Sequence, residues 1–254
     1  MDKLFATADI AVSPHAQRQA WVVVAVALPS AVVGAFALAS HAGADQALAA
    51  AALTACVICP ASALVLLGFQ RSAYPHARLG LCNMVTLLRG AAIAALAGLL
   101  AVPDALGALG YPLVALAAVI LGLDGVDGWA ARRTGLSSRF GARLDVETDV
   151  AFALVMAALA VAMAKVGPWF LLLGLLRPAF LIAGRVWPWL HAPLAPSQRR
   201  RVVAGVQMGG QVALLLPVLS APLSYWLGAA ILLVVLGSFL RDIQALRRQA
   251  GALA

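Results

Sequence analysis

Long uncharged runs, separated by short stretches where the charges gather, set the pattern of this chain. Trp21 to Ser40 is one such run and Gln46 to Phe69 is another. Asn83 to Val102 is a third, broken only by Arg89, and Tyr111 to Ala131 is a fourth, apolar until Asp124. Asp145 to Ala164 is a fifth, apolar after Asp149, and Pro168 to Val186 is a sixth with Arg177 at its middle. Between Arg201 and Arg241 lie 39 residues without a charge, enough for two helices, with Pro217 and Pro222 marking the turn. A bilayer core of about 30 Å takes about 20 helical residues, so the pattern predicts about eight transmembrane helices. The expected fold is all-α: a polytopic integral membrane protein without strands.

Composition narrows the class. Of 254 residues 63% are hydrophobic and 11% charged, against roughly a quarter charged in soluble domains. Mean hydropathy is +0.96. Disorder, a disulfide scaffold and a soluble nucleic-acid binder are excluded, and the net charge of +8 suits an anionic lipid surface or anionic substrate. With cytoplasmic N- and C-termini and eight crossings, fifteen of the 18 basic residues face the cytoplasm, as the positive-inside rule asks. Arg89 and Arg177 fall within spans, and Lys165 is the exception outside. No signal-peptide pattern opens the chain. Residues 1–70 read as an extension with two helices, 71–82 as an interfacial juxtamembrane segment, 83–245 as a core and 246–254 as a cytoplasmic tail. Cys56 and Cys59, a CxxC in an uncharged run, read as buried packing, as does Cys82. The four histidines, far apart in sequence, suit loop or interface roles better than metal ligation.

The acids are concentrated. Five of the ten fall within 26 positions, from Asp124 to Asp149, and ionisable groups at membrane depth are costly unless they serve a function. Asp124 and Asp127 share one helix face, and so do Asp145 and Asp149; Glu147 points elsewhere. Four carboxylates brought together need cations among them. All-oxygen donors favour Mg²⁺, then Mn²⁺ or Ca²⁺, and the charge count suits two ions. Ion pairing with Arg132, Arg133, Arg139 and Arg143 is the other way to neutralise them. Gly128 and Ala131 leave a smooth helix strip beside the acids, and Arg132 adds an anion-binding fork. Gly141 reads as a turn leading back into the membrane. Metal, fork and flat slot together suit a nucleotide diphosphate.

Written out, the segment is Asp124-x2-Asp127-Gly128-x2-Ala131-Arg132-x8-Gly141-x3-Asp145-x3-Asp149. It resembles the defining motif of the CDP-alcohol phosphatidyltransferases at all eight specified positions. Upstream, Asn83-x2-Thr86-x2-Arg89 resembles the first helix of that family's six-helix core. The resemblance covers about residues 70–245 and leaves the first two helices outside. It implies that Asp124, Asp127, Asp145 and Asp149 hold divalent metal, two Mg²⁺ ions or Mn²⁺ in their place, and that Asp149 is also the general base. It implies nucleotide contacts from Asn83, Thr86, Gly128, Ala131 and Arg132, and leaves Arg89 between a site role and a structural one. The partners implied are CDP-diacylglycerol, a small alcohol acceptor, membrane lipids and a second copy of the chain, with no nucleic acid. The location implied is a bacterial inner membrane with the site on the cytoplasmic side.

Arg177 at mid-span and Arg185 two turns on share a helix face, and Arg199-Arg200-Arg201 follows. With Arg201, they resemble the acceptor pocket of phosphatidylglycerophosphate and phosphatidylinositol-phosphate synthases, which implies a phosphorylated acceptor such as glycerol 3-phosphate or inositol phosphate. The triplet also suits a topology anchor on anionic lipid. A choline- or ethanolamine-type phosphotransferase, passing a CDP-linked head group to diacylglycerol, uses the same motif. An ion transporter would need acids spread through the midplane and repeated halves; a non-catalytic scaffold would not need the intact motif.

Overall fold

A computed structural model describes residues 12–194 and 197–251, with the side chains of 127, 129–132 and 134 outside the description. Among the described residues there are eight long helices: α1 Pro14–His41, α2 Ala47–Gln70, α3 Gly80–Gly98, α4 Gly110–Thr134, α5 Arg139–Ala162, α6 Leu172–Val186, α7 Gln198–Leu214 and α8 Leu223–Gly251. Short 3-10 turns fill some of the connections, and the described residues include no strand. Among the described residues five stretches are long and apolar enough to cross a membrane: Pro14–His41, Ala47–Gln70, Gly80–Ala101, Pro168–Val186 and Leu223–Gly251. The remaining helices are diluted by charge. The apolar part of α4 is Gly110–Val126, α5 opens through Arg139, Arg143, Asp145, Glu147 and Asp149, and α7 opens on three arginines. Large apolar side chains stand exposed on many helices, Trp21 at 53% and Trp226 at 72% among them, as expected where lipid rather than water is the solvent.

The chain packs as two compact units, one holding the residues up to Ala105 with Val119–Asp149, the other Leu106–Ala118 with Val150 onward. In the first, α1 presents a nearly unbroken edge of small residues, Ala16, Ala20, Val24, Ala27, Ala31, Ala35 and Ala39, all buried. Small residues one turn apart let helix backbones approach closely in lipid, where no hydrophobic drive brings them together. Ala27, Ala31 and Ala35 pack with Ile58 of α2 and Ala91, Ala94 and Ala95 of α3. Ala16, Ala20 and Val24 pack with Leu66, Phe69, Tyr74 and Leu79. Facing the neighbouring helices is thus the task of Ala47, Ala50, Thr54 and Ile58 on α2. Cys56 and Cys59 fall on its exposed side, which corrects the expectation that they are buried: in a lipid-facing helix an uncharged run does not mark the interior. Cys82 is buried.

The second unit is knit by polar ties to main-chain carbonyls. Gln211 Nε2 donates to the Ala153 carbonyl at 2.8 Å. Lys165 Nζ donates to the carbonyls of Leu216 at 3.0 Å and Leu219 at 2.5 Å, just past the end of α7. A lysine is well placed there, since partly buried main-chain carbonyls in a turn outside regular helix need a donor. Arg199 binds the hydroxyl of Ser238 at 2.6 Å and forms an ion pair with Asp242 on α8, and Arg200 reaches the same carboxylate at 3.5 Å. Two of the three arginines in the 199–201 triplet are therefore tied to α8, while Arg201 is exposed.

Candidate functional site

Three helices of the first unit converge on one buried guanidinium. Asn83, Thr86 and Arg89 recur every three residues and share the buried face of α3. Arg89 is the largest side chain fully enclosed. Its Nη2 lies 2.8 Å from Asp124 of α4 and 2.8 Å from Asp149 of α5, and its Nη1 lies 3.0 Å from Asp145. Asp145 and Asp149 reach it from the same face of α5 because they are one turn apart. Asp124 comes from α4, whose end is set by Gly135 in the left-handed region (φ 68°), a conformation glycine adopts without steric cost. A short connection then starts α5, with Ser138 Oγ accepting the Gly141 N–H at 3.0 Å.

The cluster has the chemistry of a hard-cation site. Asp124, Asp145 and Asp149 each offer a carboxylate oxygen, all within 4.8 Å of one another and half-buried. Among the described side chains three carboxylates meet the single guanidinium of Arg89, and all-oxygen donors are what divalent ions such as Mg²⁺ take. The donor set fits a divalent ion. Of the sequence-predicted metal residues, the structure brings these three together; Asp127 is on α4, and its side chain lies outside the described residues, as do those of Ala131 and Arg132. Glu147 is exposed, in line with its place between the two inward positions.

The expected nucleotide residues of α3 are buried. Asn83 is 2% exposed and Thr86 3%. The Thr86 hydroxyl donates back to the Cys82 carbonyl at 2.9 Å. The Asn83 amide donates to the Tyr74 hydroxyl at 3.0 Å and to the Leu79 carbonyl at 2.6 Å, while its Oδ1 faces Gly141, where an added Cβ would overlap it. Gly141 thus sits in the first turn of α5 and serves close helix approach. The expectation of a turn there is corrected: the break in the chain comes earlier, at Gly135 and Ser137. Gly128 is half-buried on α4.

Sequence reasoning left the role of Arg89 open and read Tyr74 only as part of the interfacial segment, whereas it is buried at 1% exposure. The signal for Arg89 was its position as the lone charge in an apolar run; its three acidic partners, 35 to 60 residues away, are a product of the fold. The expected acceptor residues lie in the second unit, Arg177 half-buried and Arg185 exposed on α6, Arg201 exposed on α7. That unit also contains an apolar cavity of about 920 Å³ lined by Phe180, Trp187, Phe239, Leu240 and Arg247 among others. None of the acids lines it.

No curated protein and no solved structure matches the chain. The family model described as CDP-alcohol phosphatidyltransferase matches residues 79–237, which is more than half of the 254 residues and takes in α3 with Arg89 and all three clustered aspartates. On this match, and with the acids gathered as that motif requires, the chain belongs to the CDP-alcohol phosphatidyltransferase family, transferases that move a substituted phosphate from a CDP-linked donor to an alcohol.

Proposed function

We propose that this protein transfers a phosphatidyl group from CDP-diacylglycerol to the hydroxyl of a small alcohol and releases CMP. The observation that carries the reading is the meeting of Asp124, Asp145 and Asp149 around Arg89: an acid-rich, half-buried site in a greasy chain, suited to a diphosphate linked to a lipid. Asp124, Asp127, Asp145 and Asp149 would hold the divalent metal, Mg²⁺ or Mn²⁺, which when bound neutralises charge on the diphosphate and on the departing CMP. Asn83, Thr86, Gly128, Ala131 and Arg132 form the nucleotide side, with the Arg132 fork on the diphosphate. Asp149 removes the proton from the acceptor hydroxyl as the new oxygen–phosphorus bond forms and the bond to CMP breaks. Arg89 fixes the direction of the Asp149 carboxylate and its two neighbours.

In this reading all eight helices cross the membrane with both termini in the cytoplasm, residues 83–245 form the catalytic core, and the protein works as a homodimer in a bacterial inner membrane. The acceptor carries a phosphate, as glycerol 3-phosphate or an inositol phosphate does, and is held by Arg177, Arg185 and Arg201. Support comes from the exposure of Arg185 and Arg201, which contrasts with the engagement of Arg199 and Arg200 by Asp242. The test is CMP release from CDP-diacylglycerol in mixed micelles with Mg²⁺, alcohols being added one at a time. Turnover with glycerol 3-phosphate or inositol phosphate is expected. Turnover with uncharged alcohols alone would reject the phosphate-bearing acceptor, and turnover of CDP-choline or CDP-ethanolamine with diacylglycerol alone would reject the donor.

A further inference from the structure

We propose that the N-terminal helices, outside the residues that match the family, are a positioning element for the nucleotide side of the site, acting through the loop of residues 72–79 and Tyr74. The inference rests on the nucleotide role given to Asn83 above and assigns the part of the chain which that reading leaves without a task.

The connection can be followed bond by bond within the first unit. Ser13 caps α1 by accepting the Ala16 N–H at 3.1 Å, and the same hydroxyl donates to the Ala77 carbonyl at 2.7 Å. Nearly two turns further, Gln19 Oε1 accepts the Leu79 N–H at 2.9 Å. The start of α1 therefore grips the loop at two points just before α3. Within the loop Tyr74 is enclosed (1% exposed). Its ring lies against Phe69 of α2 at 5.0 Å, and Phe69 in turn lies 4.9 Å from Phe140 of α5. The Tyr74 hydroxyl donates to the Leu79 carbonyl at 2.6 Å and accepts the Asn83 amide at 3.0 Å. Both N–H groups of Asn83 are thereby committed, which fixes the amide plane and turns Oδ1 toward Gly141, one turn before Asp145. A second tie runs from His76 Nε2 to the Ser137 carbonyl, 2.9 Å away, in the connection between α4 and α5.

A loop at a membrane surface has no ladder of its own to order it. These side-chain bonds supply the order, and each ends on a group beside Asn83 or beside the start of the acid-bearing helix. Loss of the α1 contacts frees the loop, the Tyr74 hydroxyl then drifts, and the Asn83 amide loses its fixed plane. The carboxylates, held by Arg89, stay where they are. The expected consequence is weaker nucleotide-lipid binding with an intact acid cluster.

The test uses the full-length protein with Cys56 and Cys59, both exposed, replaced by serine, so that buried Cys82 reports on the seating of the loop. Ser13→Ala combined with Gln19→Ala is expected to speed alkylation of Cys82 by about tenfold, the scale of one or two net hydrogen bonds. The KM for CDP-diacylglycerol should rise by a similar factor with kcat changed less than twofold, and Mn²⁺ binding read by electron paramagnetic resonance should be unchanged. Tyr74→Phe should reproduce the rise in KM. Cys82 as protected as before in the double variant, or faster alkylation with an unaltered KM, would overturn the proposal. Absence of turnover by the unmutated protein would instead defeat the proposed function, and the alkylation arm would still decide whether α1 seats the loop.

Discussion

A guanidinium enclosed by protein at membrane depth is stable only with counter-charges in contact, because desolvating a single ion costs several kcal/mol. Arg89, with 1% of its side chain exposed, has three among the described residues, and each of them is about one-third exposed. Replacing Arg89 by Met leaves three carboxylates facing one another. The expected destabilisation is about 3 kcal/mol, at the low end for a broken buried pair because the carboxylates keep some hydration, measured as a lower unfolding temperature in detergent with EDTA. Added Mg²⁺ should recover more stability in the variant than in the parent, since the variant cluster carries one more uncompensated charge; an equal response would mean that the acids do not share an ion. Asp149→Asn should abolish turnover and spare CDP binding, whereas Asp127→Ala should weaken Mn²⁺ and CDP binding together. Full activity of Asp149→Asn would remove its role as base. At this scale the acids were legible because their spacing alone puts them in pairs on helix faces. The meeting of those acids with Arg89 was not, for local arginines at 132, 133, 139 and 143 satisfy the same charge count in sequence, and it takes the meeting of α3 with α4 and α5 to bring Arg89 in.

At the scale of the helices, close approach depends on what is missing from a side chain. At Gly98 of α3 an added Cβ would overlap Thr54 Oγ1 and press on the Ala50 carbonyl of α2, while nothing lies within 4 Å of one at Gly90. Thr54 is not free to give way, since its hydroxyl is bonded to that carbonyl at 2.8 Å. Gly98→Ala should therefore cost about 1–3 kcal/mol as an overpacking substitution, and Gly90→Ala should leave the unfolding temperature unchanged or raised. Equal effects at both positions would show that α2 and α3 do not meet at Gly98. Hydropathy placed the middle of each helix and both ends of α2, and missed ends that are polar. Polar first and last turns are helical here: α1 begins at Pro14 behind the Ser13 cap, and α4 runs to Thr134 past its last apolar stretch. Such ends are read from capping residues, and Ser13-Pro14 was available as one. The hold of α1 on loop 72–79 was not available, because Gln19 meets Leu79 across 60 positions with no periodicity to announce it.

For the whole molecule the question is which way the chain threads the bilayer, and charge answers it more sharply than length. Length and hydropathy select five helices, yet an eight-crossing path puts fifteen of 18 basic residues on one side, with Arg89 and Arg177 within spans and only Lys165 opposite. The exception has a local cause: Lys165 serves the carbonyls of Leu216 and Leu219 in the turn between α7 and α8. A path omitting α4, α5 or α7 would reverse every later connection and divide the arginines between both faces, against the bias that orients membrane chains. Single cysteines at Asp45, Ser137 and Ser220, all exposed, separate the two. In intact cells an impermeant maleimide should label positions 45 and 220 and reach position 137 only after permeabilisation. Labelling of 137, or protection of 220, would rule out the eight-crossing path; the five-helix path gives both. Labelling of 137 would also place the α4–α5 connection, and with it the approach to the acids, on the face opposite Lys3 and Arg18 at the start of the chain.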